Sequence, residues 1–184
     1  MGSENPIGAD DQQETERTVE LAPWWVVGFV DGEGCFSVSL HRNELATSTR
    51  GWHIQPTFQV SQHCDNRGVL LELRDFFGAG TVRSKGPRTP VHVYVVHSTK
   101  ELMRTVIPFF EGHPLRVKRE DFEIFARITR AIRSRSHHRP EVFDELVRLA
   151  YSMNARGKQR KRPIEEILSG SSETVRQAPL SSEW

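Results

Sequence analysis

Apolar and polar residues follow two different periods along the chain. Apolar and polar residues alternate strictly over residues 52–62, and they alternate again over the shorter segment 36–41. The first segment alternates Trp52, Ile54, Phe58 and Val60 with His53, Gln55, Thr57, Gln59 and Ser61, and the second alternates Phe36, Val38 and Leu40 with Ser37, Ser39 and His41. Successive side chains of a strand point to opposite faces, so both segments are predicted to be half-buried strands. They predict an antiparallel pair with one solvated polar face.

The other segments show a helical period or a short strand pattern, separated by glycine and proline. Helices are predicted at 21–30, 65–77, 98–110, 119–132, 140–153 and 163–168, and short strands at 81–85 and 91–96. Pro23 suits the first turn of its helix, and Ser98 or Thr99 suits a helix N-cap. The polar segment 41–51 and the basic segment 154–163 are predicted to be loops. This order predicts an α+β fold, with helices on one face of a four-stranded antiparallel sheet.

Composition and charge divide the chain into three parts. Residues 1–20 are polar and lack aromatic residues, which predicts a disordered leader. One domain is predicted at 21–168, followed by a flexible serine-rich tail at 169–184. Residues 1–21 hold six acidic residues and one arginine, so they carry −5 of a net charge of +1, and the remainder carries +6. A basic domain favours an anionic partner such as nucleic acid, although solubility alone also explains this charge.

Cysteine content and hydropathy exclude several other classes of protein. Cys35 and Cys64 are the two cysteines, with no CxxC pair, so neither a disulfide framework nor a zinc site is expected. His137 and His138 have no third metal ligand nearby in the sequence. No stretch approaches the roughly 20 apolar residues of a membrane span, and the chain shows no secretion signal pattern. The prediction is an intracellular protein without a membrane partner, in the cytoplasm or nucleoid if bacterial, or in an organelle.

Two acids, each followed by a glycine, stand where the helical period gives way to alternation. This segment is Asp31-Gly32-Glu33-Gly34. Asp-Gly between apolar runs is a common turn signal, in which the glycines would adopt positive φ. The acid spacing of an EF-hand and the glycine spacing of a dinucleotide-binding fingerprint are both absent. The residues themselves leave open whether the segment is only a turn or a functional acidic site.

Five blocks of sequence, spread over most of the chain, are similar to successive blocks of one protein family. The first is VVGFVDGEG at 26–34, followed by CFSVSL. The others, in order, are TFQVSQ at 57–62, FFGAGTVR at 76–83, IPFFEGHPLRVKREDFEIF at 107–125 and GKQRKRPIEEIL at 157–168. Together they resemble the LAGLIDADG homing endonuclease family, whose signature the first block matches. The resemblance implies an αββαββα core whose saddle-shaped sheet faces DNA. Since the signature occurs once, it also implies a homodimer built on a two-fold crossing of the first helix.

The resemblance implies a site-specific DNA endonuclease that hydrolyses one phosphodiester bond on each strand of a long, near-palindromic target. Mg²⁺ or Mn²⁺ is the implied cofactor, with Glu33 and the Gly32 carbonyl as ligands. Asp31 is expected to be mainly structural and to bond local amides at the helix end. The chain departs from the signature in two respects: Val26-Val27 replaces Leu-Ala, and Glu33 replaces the archetypal aspartate. Val27 is bulkier than alanine at the expected helix crossing.

Other positions acquire expected roles through the same resemblance. Gln62 and Lys118 match family positions beside the scissile phosphate, although each is also explained as a solvated polar residue. Arg67 or Asn66 matches a peripheral basic position. The expected dimer interface is Trp24, Val27, Gly28, Asp31 and Gly32. The expected DNA contacts are Ser37, Ser39, His41, Asn43, His53, Gln55, Thr57, Gln59, Ser61, Arg67, Thr81, Arg83 and Lys85 on or near the sheet, with Lys158, Arg160, Lys161 and Arg162 on phosphates.

Two further expectations concern the fourth strand and the alternative function. Val93 and Val95 share the parity expected to face DNA, where apolar side chains would meet thymine methyl groups. The alternative is a non-cleaving DNA-binding regulator or an intron RNA maturase on the same fold. The presence of Glu33, Gln62 and Lys118 argues against loss of catalysis. It leaves open a bifunctional maturase, for which intron RNA is an additional partner.

Overall fold

The computed structural model describes residues 21–43, 51–153 and 162–169. Within these residues, no helix combines the length and apolar character needed to cross a membrane. The acidic leader at 1–20 and most of the tail predicted at 169–184 lie outside the described ranges, as do Lys158, Arg160 and Lys161. The expectations for them therefore remain predictions.

The described residues form helices and four strands in nearly the predicted order. They are α1 Pro23–Glu33, β1 Gly34–Arg42, β2 Trp52–His63, a 3₁₀ turn at Cys64–Asn66, α2 Arg67–Phe77, β3 Thr81–Ser84, β4 Val91–Val96, α3 Thr99–Glu101, a π turn at Leu102–Val106, α4 Ile107–Gly112, α5 Arg119–Arg133, a 3₁₀ turn at Ser136–His138, α6 Pro140–Ser152 and α7 Ile164–Ser169. The strands form one antiparallel sheet in the order β1-β2-β4-β3. The predicted α+β class is confirmed.

The register of the sheet separates a polar face from an apolar one. Directly opposed residues share a face in an antiparallel pair. The polar face includes the pairs Ser37–Thr57, Ser39–Gln55 and His41–His53, and the rows Gln59–Val95–Thr81 and Ser61–Val93–Arg83. The opposite face includes Phe36–Phe58 and the row Val60–Tyr94–Val82. Among the described residues the helices pack on the apolar face, and no helix covers the polar face.

An aromatic cluster joins the sheet to the helices. Phe36 is 1% exposed and lies against the rings of Phe58, Phe110, Phe122 and Phe125, with centroid separations of 5.1, 5.6, 5.3 and 5.3 Å respectively. Most of these ring pairs are edge-to-face or tilted, which is the geometry that aromatic quadrupoles favour. This cluster holds α4 and α5 on the apolar face and fixes α5 relative to β1.

The helix predicted at 98–110 contains one irregular turn. Ser98 caps it, since its hydroxyl accepts a hydrogen bond from the Glu101 N–H at 3.4 Å. The π turn Leu102–Val106 then precedes Pro108. Proline has no N–H, and in a regular helix its ring clashes with the carbonyl four residues earlier. The wider π turn accommodates Pro108 without ending the helix.

The acidic segment is not a turn. Asp31, Gly32 and Glu33 form the end of α1, and Gly34 begins β1 with a φ of −77°. The reason for glycine at Gly34 is close packing, because a Cβ there would lie 2.6 Å from Val30 Cγ1 and 2.7 Å from the Val30 carbonyl oxygen. A helix therefore passes directly into a strand.

Val27 was predicted to lie at the dimer interface, and its burial shows that this prediction is wrong. Val27 is 6% exposed and belongs to the core of its own chain, with Val26 and Val30. Since α1 packs on the sheet through this side, the Val27 side chain is not available to a second copy. The bulk of valine relative to alanine is therefore accommodated within the protomer.

Candidate active site and nucleic-acid interface

Asp31 ties the end of α1 to the segment before α5. Its carboxylate accepts three backbone hydrogen bonds, from the N–H groups of Arg116 at 2.7 Å, Val117 at 3.2 Å and Lys118 at 3.1 Å. The predicted structural role agrees with this, but the expected local partners are wrong. A helix end presents carbonyl groups, whereas free N–H groups occur where a helix begins, as α5 does at Arg119.

Lys118 is held against the same helix end. Its Nζ donates to the Asp31 carbonyl oxygen and, at 3.1 Å, to the Gly32 carbonyl oxygen. The ammonium thus meets the negative end of the α1 dipole, where a cation is stabilised. The structure brings together Lys118 and Gly32, which are 86 residues apart in the sequence.

Glu33 and Gly32 supply a donor set that fits a hard divalent cation. The Glu33 side chain is exposed at the last residue of α1, and Gly32 is exposed beside it. A carboxylate oxygen and a backbone carbonyl oxygen are ligands that Mg²⁺ and Mn²⁺ prefer. The Gly32 carbonyl accepts from Lys118, and a carbonyl oxygen has a second lone pair for a cation.

Gln62 lies near the end of β2, an inner strand, on the side where α1 passes into β1. Gly34, the first residue of β1, pairs with Val60, so Gln62 extends two residues beyond that pair. The Gln62 Oε1 accepts from Asn66 Nδ2 at 3.4 Å. Arg67 is exposed at the start of α2. The catalytic role of Gln62 and the peripheral role of Arg67 or Asn66 stay predictions.

Side chains on the polar face of the sheet are held by hydrogen bonds to one another and to backbone carbonyls. Ser39 Oγ lies 2.8 Å from His41 Nε2, and His53 Nε2 lies 3.2 Å from Gln55 Oε1. Gln55 Nε2 also donates to the His97 carbonyl oxygen at 2.8 Å, and Ser37 Oγ to the Thr57 carbonyl oxygen at 3.3 Å. These contacts fix which hydrogen-bonding groups the face presents.

Val93 and Val95 on β4 lie on the predicted face of the sheet, but the predicted contact of their side chains with DNA is wrong. Val93 and Val95 do share the polar face, because they pair with Ser61 and Gln59. They are, however, only 4% and 6% exposed. β4 lies between β2 and β3, so its short side chains are enclosed by those of both neighbours. The small exposed fraction excludes the predicted contact with thymine methyl groups.

A family model and several relatives match this architecture. Residues 26–129 match the model described as LAGLIDADG endonuclease. The chain belongs to this family. It is 32% identical over 153 residues to the homing endonuclease I-ApeII of Aeropyrum pernix, covering 80% of this chain and 89% of that protein. It is also 33% identical to an uncharacterised 50.9 kDa protein in ND4 intron 1 of Podospora anserina, of whose length it spans 26%.

Solved LAGLIDADG-type structures share the fold. The homing endonuclease I-TnaI is 34% identical, with a TM-score of 0.70 and coverage of 84% of this chain and 99% of that one. The archaeal intron-encoded homing endonuclease I-Vdi141I, solved in complex with DNA, is 27% identical, with a TM-score of 0.76 and coverage of 83% and 96%. The resemblance deduced from the five sequence blocks is confirmed.

The LAGLIDADG signature helix, α1, exposes one strip of its surface. Trp24 is 64% exposed, and Gly28 and Gly32 are exposed as well. A Cβ added at either glycine would meet no atom within 4 Å. Val117, beside the helix end, is 80% exposed, and the sequence alone contained no signal for it. Apart from the edge-to-face contact of Trp24 with the His113 ring, at a centroid separation of 5.2 Å, the strip leaves room for a second copy beside both glycines.

At the other end of β1 and β2, away from the candidate active site, this family member has a second feature that was not apparent from its sequence. The guanidinium groups of Arg42 and Arg162 lie 5.0 and 5.7 Å from the Trp52 ring centroid, within cation–π range. Arg162 also forms an ion pair with Glu166, and its carbonyl oxygen accepts from the Tyr151 hydroxyl at 2.9 Å. Arg162 therefore anchors the start of α7, and its predicted phosphate contact stays a prediction.

Proposed function

We propose that this chain is a homing endonuclease that acts as a homodimer and requires a divalent metal. It hydrolyses one phosphodiester bond on each strand of a long, near-palindromic DNA target. The observation that carries the proposal is the convergence of Glu33, the Gly32 carbonyl and Lys118 at the end of α1, where β1 begins the polar sheet face. Family membership supports the reaction class. The relative named homing endonuclease I-ApeII and the DNA complex of I-Vdi141I support the substrate.

Each residue of the centre has a distinct task in the proposed reaction. Glu33 and the Gly32 carbonyl would hold Mg²⁺ or Mn²⁺, which supplies an acidified water and Lewis-acid stabilisation of charge. The Lys118 ammonium stabilises negative charge that develops on the phosphate oxygens. The Gln62 carboxamide orients a water molecule beside the phosphate. Asp31 keeps Lys118 in place through the backbone of its segment.

The polar sheet face supplies recognition of the target. A ribbon of strands fits the DNA major groove, where glutamine and arginine make bidentate contacts worth about 1–3 kcal/mol of discrimination each. The exposed Arg83 and Thr81 on β3, and Lys85 just after it, extend the face formed by β1 and β2. In a homodimer the two sheets would form one long surface. The basic segment around Arg160 and Arg162 would add phosphate contacts, which raise affinity without selecting sequence.

Selection from a randomised duplex library tests the function directly. With Mg²⁺ present, we expect the purified chain to cut a small subset of duplexes that share one near-palindromic sequence, because both protomers read the same half-site. With a chelator in place of Mg²⁺, we expect binding without cleavage. Sequencing of the cut ends measures both results. Absence of cleavage with tight binding to intron RNA would instead favour the maturase alternative.

The proposed dimer is tested by placing a large side chain on the exposed strip of α1. We expect Gly28→Leu to leave the protomer folded, since a Cβ there meets no atom of its own chain within 4 Å. Two copies would clash at the helix crossing, at about 1–3 kcal/mol for each copy, so dimer affinity should fall roughly 30-fold or more. Sedimentation equilibrium measures the change.

Gly68→Leu is the matched control for the dimer. Gly68 lies in α2, is exposed, and also has no atom within 4 Å of an added Cβ. We expect this variant to retain the association state of the unchanged chain. A Gly28→Leu protein that dimerises as strongly as the Gly68→Leu protein would show that α1 does not form the interface.

A further inference from the structure

Three consecutive residues with different ligand atoms converge at the end of β2. His63 ends the strand, and Cys64 and Asp65 begin the 3₁₀ turn that follows. One ligand atom from each residue lies within 4.8 Å of the other two. In an extended strand, consecutive side chains would point to opposite faces. The turn is therefore what brings them to one side.

The hydrogen bonds around the three residues hold this arrangement. His63 Nδ1 lies 3.1 Å from Asp65 Oδ2, Cys64 Sγ lies 3.6 Å from Asp65 Oδ1, and Cys64 Sγ lies 3.8 Å from His63 Nδ1. The Cys64 N–H donates to the Pro90 carbonyl oxygen at 2.6 Å, which anchors the turn to the segment before β4. All three side chains reach solvent, Cys64 being half-buried. A cation thus has access to ligands on a constrained backbone.

We propose that His63, Cys64 and Asp65 bind one thiophilic divalent cation of the zinc class. The imidazole Nδ1, the thiolate sulfur and a carboxylate oxygen would supply three ligands, with water in the fourth position of a tetrahedral site. On binding, the thiol loses its proton to solvent, and no bond is oxidised or reduced. Sulfur and nitrogen donors select Zn²⁺ or Co²⁺ over Mg²⁺. This site therefore differs in chemistry from the all-oxygen donor set at Glu33 and Gly32.

The expectation that the chain lacks a zinc site rested on the absence of a CxxC pair. The proposed ligands instead come from adjacent residues and use a single cysteine. The site also lies between two residues that contact each other, because Gln62 Oε1 accepts from Asn66 Nδ2 at 3.4 Å. A cation held by the intervening residues would fix the turn that carries this contact. Binding of the cation would therefore also restrain the Gln62 side chain at the candidate active site.

Titration of the full chain with Co²⁺ alone tests the site. Cobalt bound to a thiolate gives a charge-transfer absorption band in the near ultraviolet, and we expect a band that saturates at one cobalt per chain. Cys64→Ser should remove the band at cobalt concentrations that saturate the unchanged chain. Excess Mg²⁺ should leave the band of the unchanged chain intact. Absence of a band in the unchanged chain would overturn the proposal.

Cys35→Ser is the matched control for the thiol. Cys35 lies in β1, opposite Gln59, and is half-buried like Cys64. It lies outside the cluster of His63, Cys64 and Asp65, so its loss should not change the band. A band that disappears in Cys35→Ser, or persists in Cys64→Ser, would overturn the assignment.

Two further variants keep the test independent of folding and of DNA cleavage. His63→Gln and Asp65→Asn retain the thiol but each remove one ligand, so each should weaken cobalt binding. Thermal unfolding without metal checks that the variants are folded, and Zn²⁺ should raise Tm only where all three ligands are present. Unweakened cobalt binding in both variants would show that Cys64 binds without the proposed partners. None of these measurements needs DNA, so failure of the nuclease proposal would leave them unaffected.

Discussion

Replacing Glu33 by glutamine is expected to lower DNA cleavage by roughly 10³-fold or more, because the proposed metal would lose a ligand and, with it, a contribution of several kcal/mol to the reaction. Glutamine has nearly the same shape, but it is neutral and binds Mg²⁺ poorly. DNA affinity should be preserved, since the polar sheet face does not depend on the Glu33 carboxylate. Removal of one negative charge reduces repulsion of the DNA phosphates, so any change in DNA affinity should be an increase.

The experiment compares single-turnover cleavage and mobility-shift binding on a duplex recovered from the library selection. Glu72→Gln is the matched control, since it makes the same charge change at an exposed glutamate of α2, on the helical side of the molecule. We expect this control to cut DNA at the normal rate. Cleavage by Glu33→Gln at a rate close to that of the control would contradict the assignment of Glu33 as metal ligand.

Replacing Asp31 by asparagine is expected to lower the free energy of unfolding by about 1.5–3 kcal/mol, the range for hydrogen bonds to a charged group. One carboxylate oxygen accepts from Val117 and Lys118 and the other from Arg116. An amide has one oxygen, so its NH₂ group would face a backbone N–H. Displacement of the segment before α5 would move the Lys118 ammonium group away from the candidate active site. Cleavage should therefore fall roughly 10²-fold.

Urea unfolding and the cleavage assay measure the two parts of this prediction. Asp75→Asn is the matched control, because Asp75 is exposed and pairs with the adjacent Arg74 at 2.7 Å. An exposed pair of this kind contributes about 0–1 kcal/mol, so the control should stay close to the unchanged chain. Equal stabilities for the two variants would mean that the Asp31 carboxylate does not hold the segment before α5.

Local elements were predictable because their signals lie within a few residues. The strand at Trp52–His63 and the stripe of α5 through Phe122 and Phe125 follow from periodicity alone. Prediction was less accurate at the end of α1, where an Asp-Gly turn signal competed with a helix. The helix prevailed because Asp31 obtains backbone partners from the segment before α5, which no local pattern contains.

The candidate site shows the same division between local and tertiary information. Glu33, Gln62 and Lys118 were selected through a resemblance spread over five blocks, and the structure places Lys118 on the end of α1. Val27, Val93 and Val95 were assigned outward-facing roles that their burial excludes. Parity gives the face of a residue, whereas exposure depends on which strands flank it.

By itself, the sequence determined the helices and strands, the polar face of the sheet, the acidic pair at the end of α1 and the family. These properties depend on residue periodicity and on motifs a few positions long. Only the tertiary structure decided the strand order β1-β2-β4-β3, the bonds from Asp31 to residues 85 to 87 positions away, and the cluster of His63, Cys64 and Asp65 on one side of a turn. The strand order and the Asp31 bonds arise because the packed core brings distant backbone together, and no local pattern encodes that distance. The turn at 63–65 is anchored by the hydrogen bond from the Cys64 N–H to the Pro90 carbonyl oxygen, which the local sequence does not encode either.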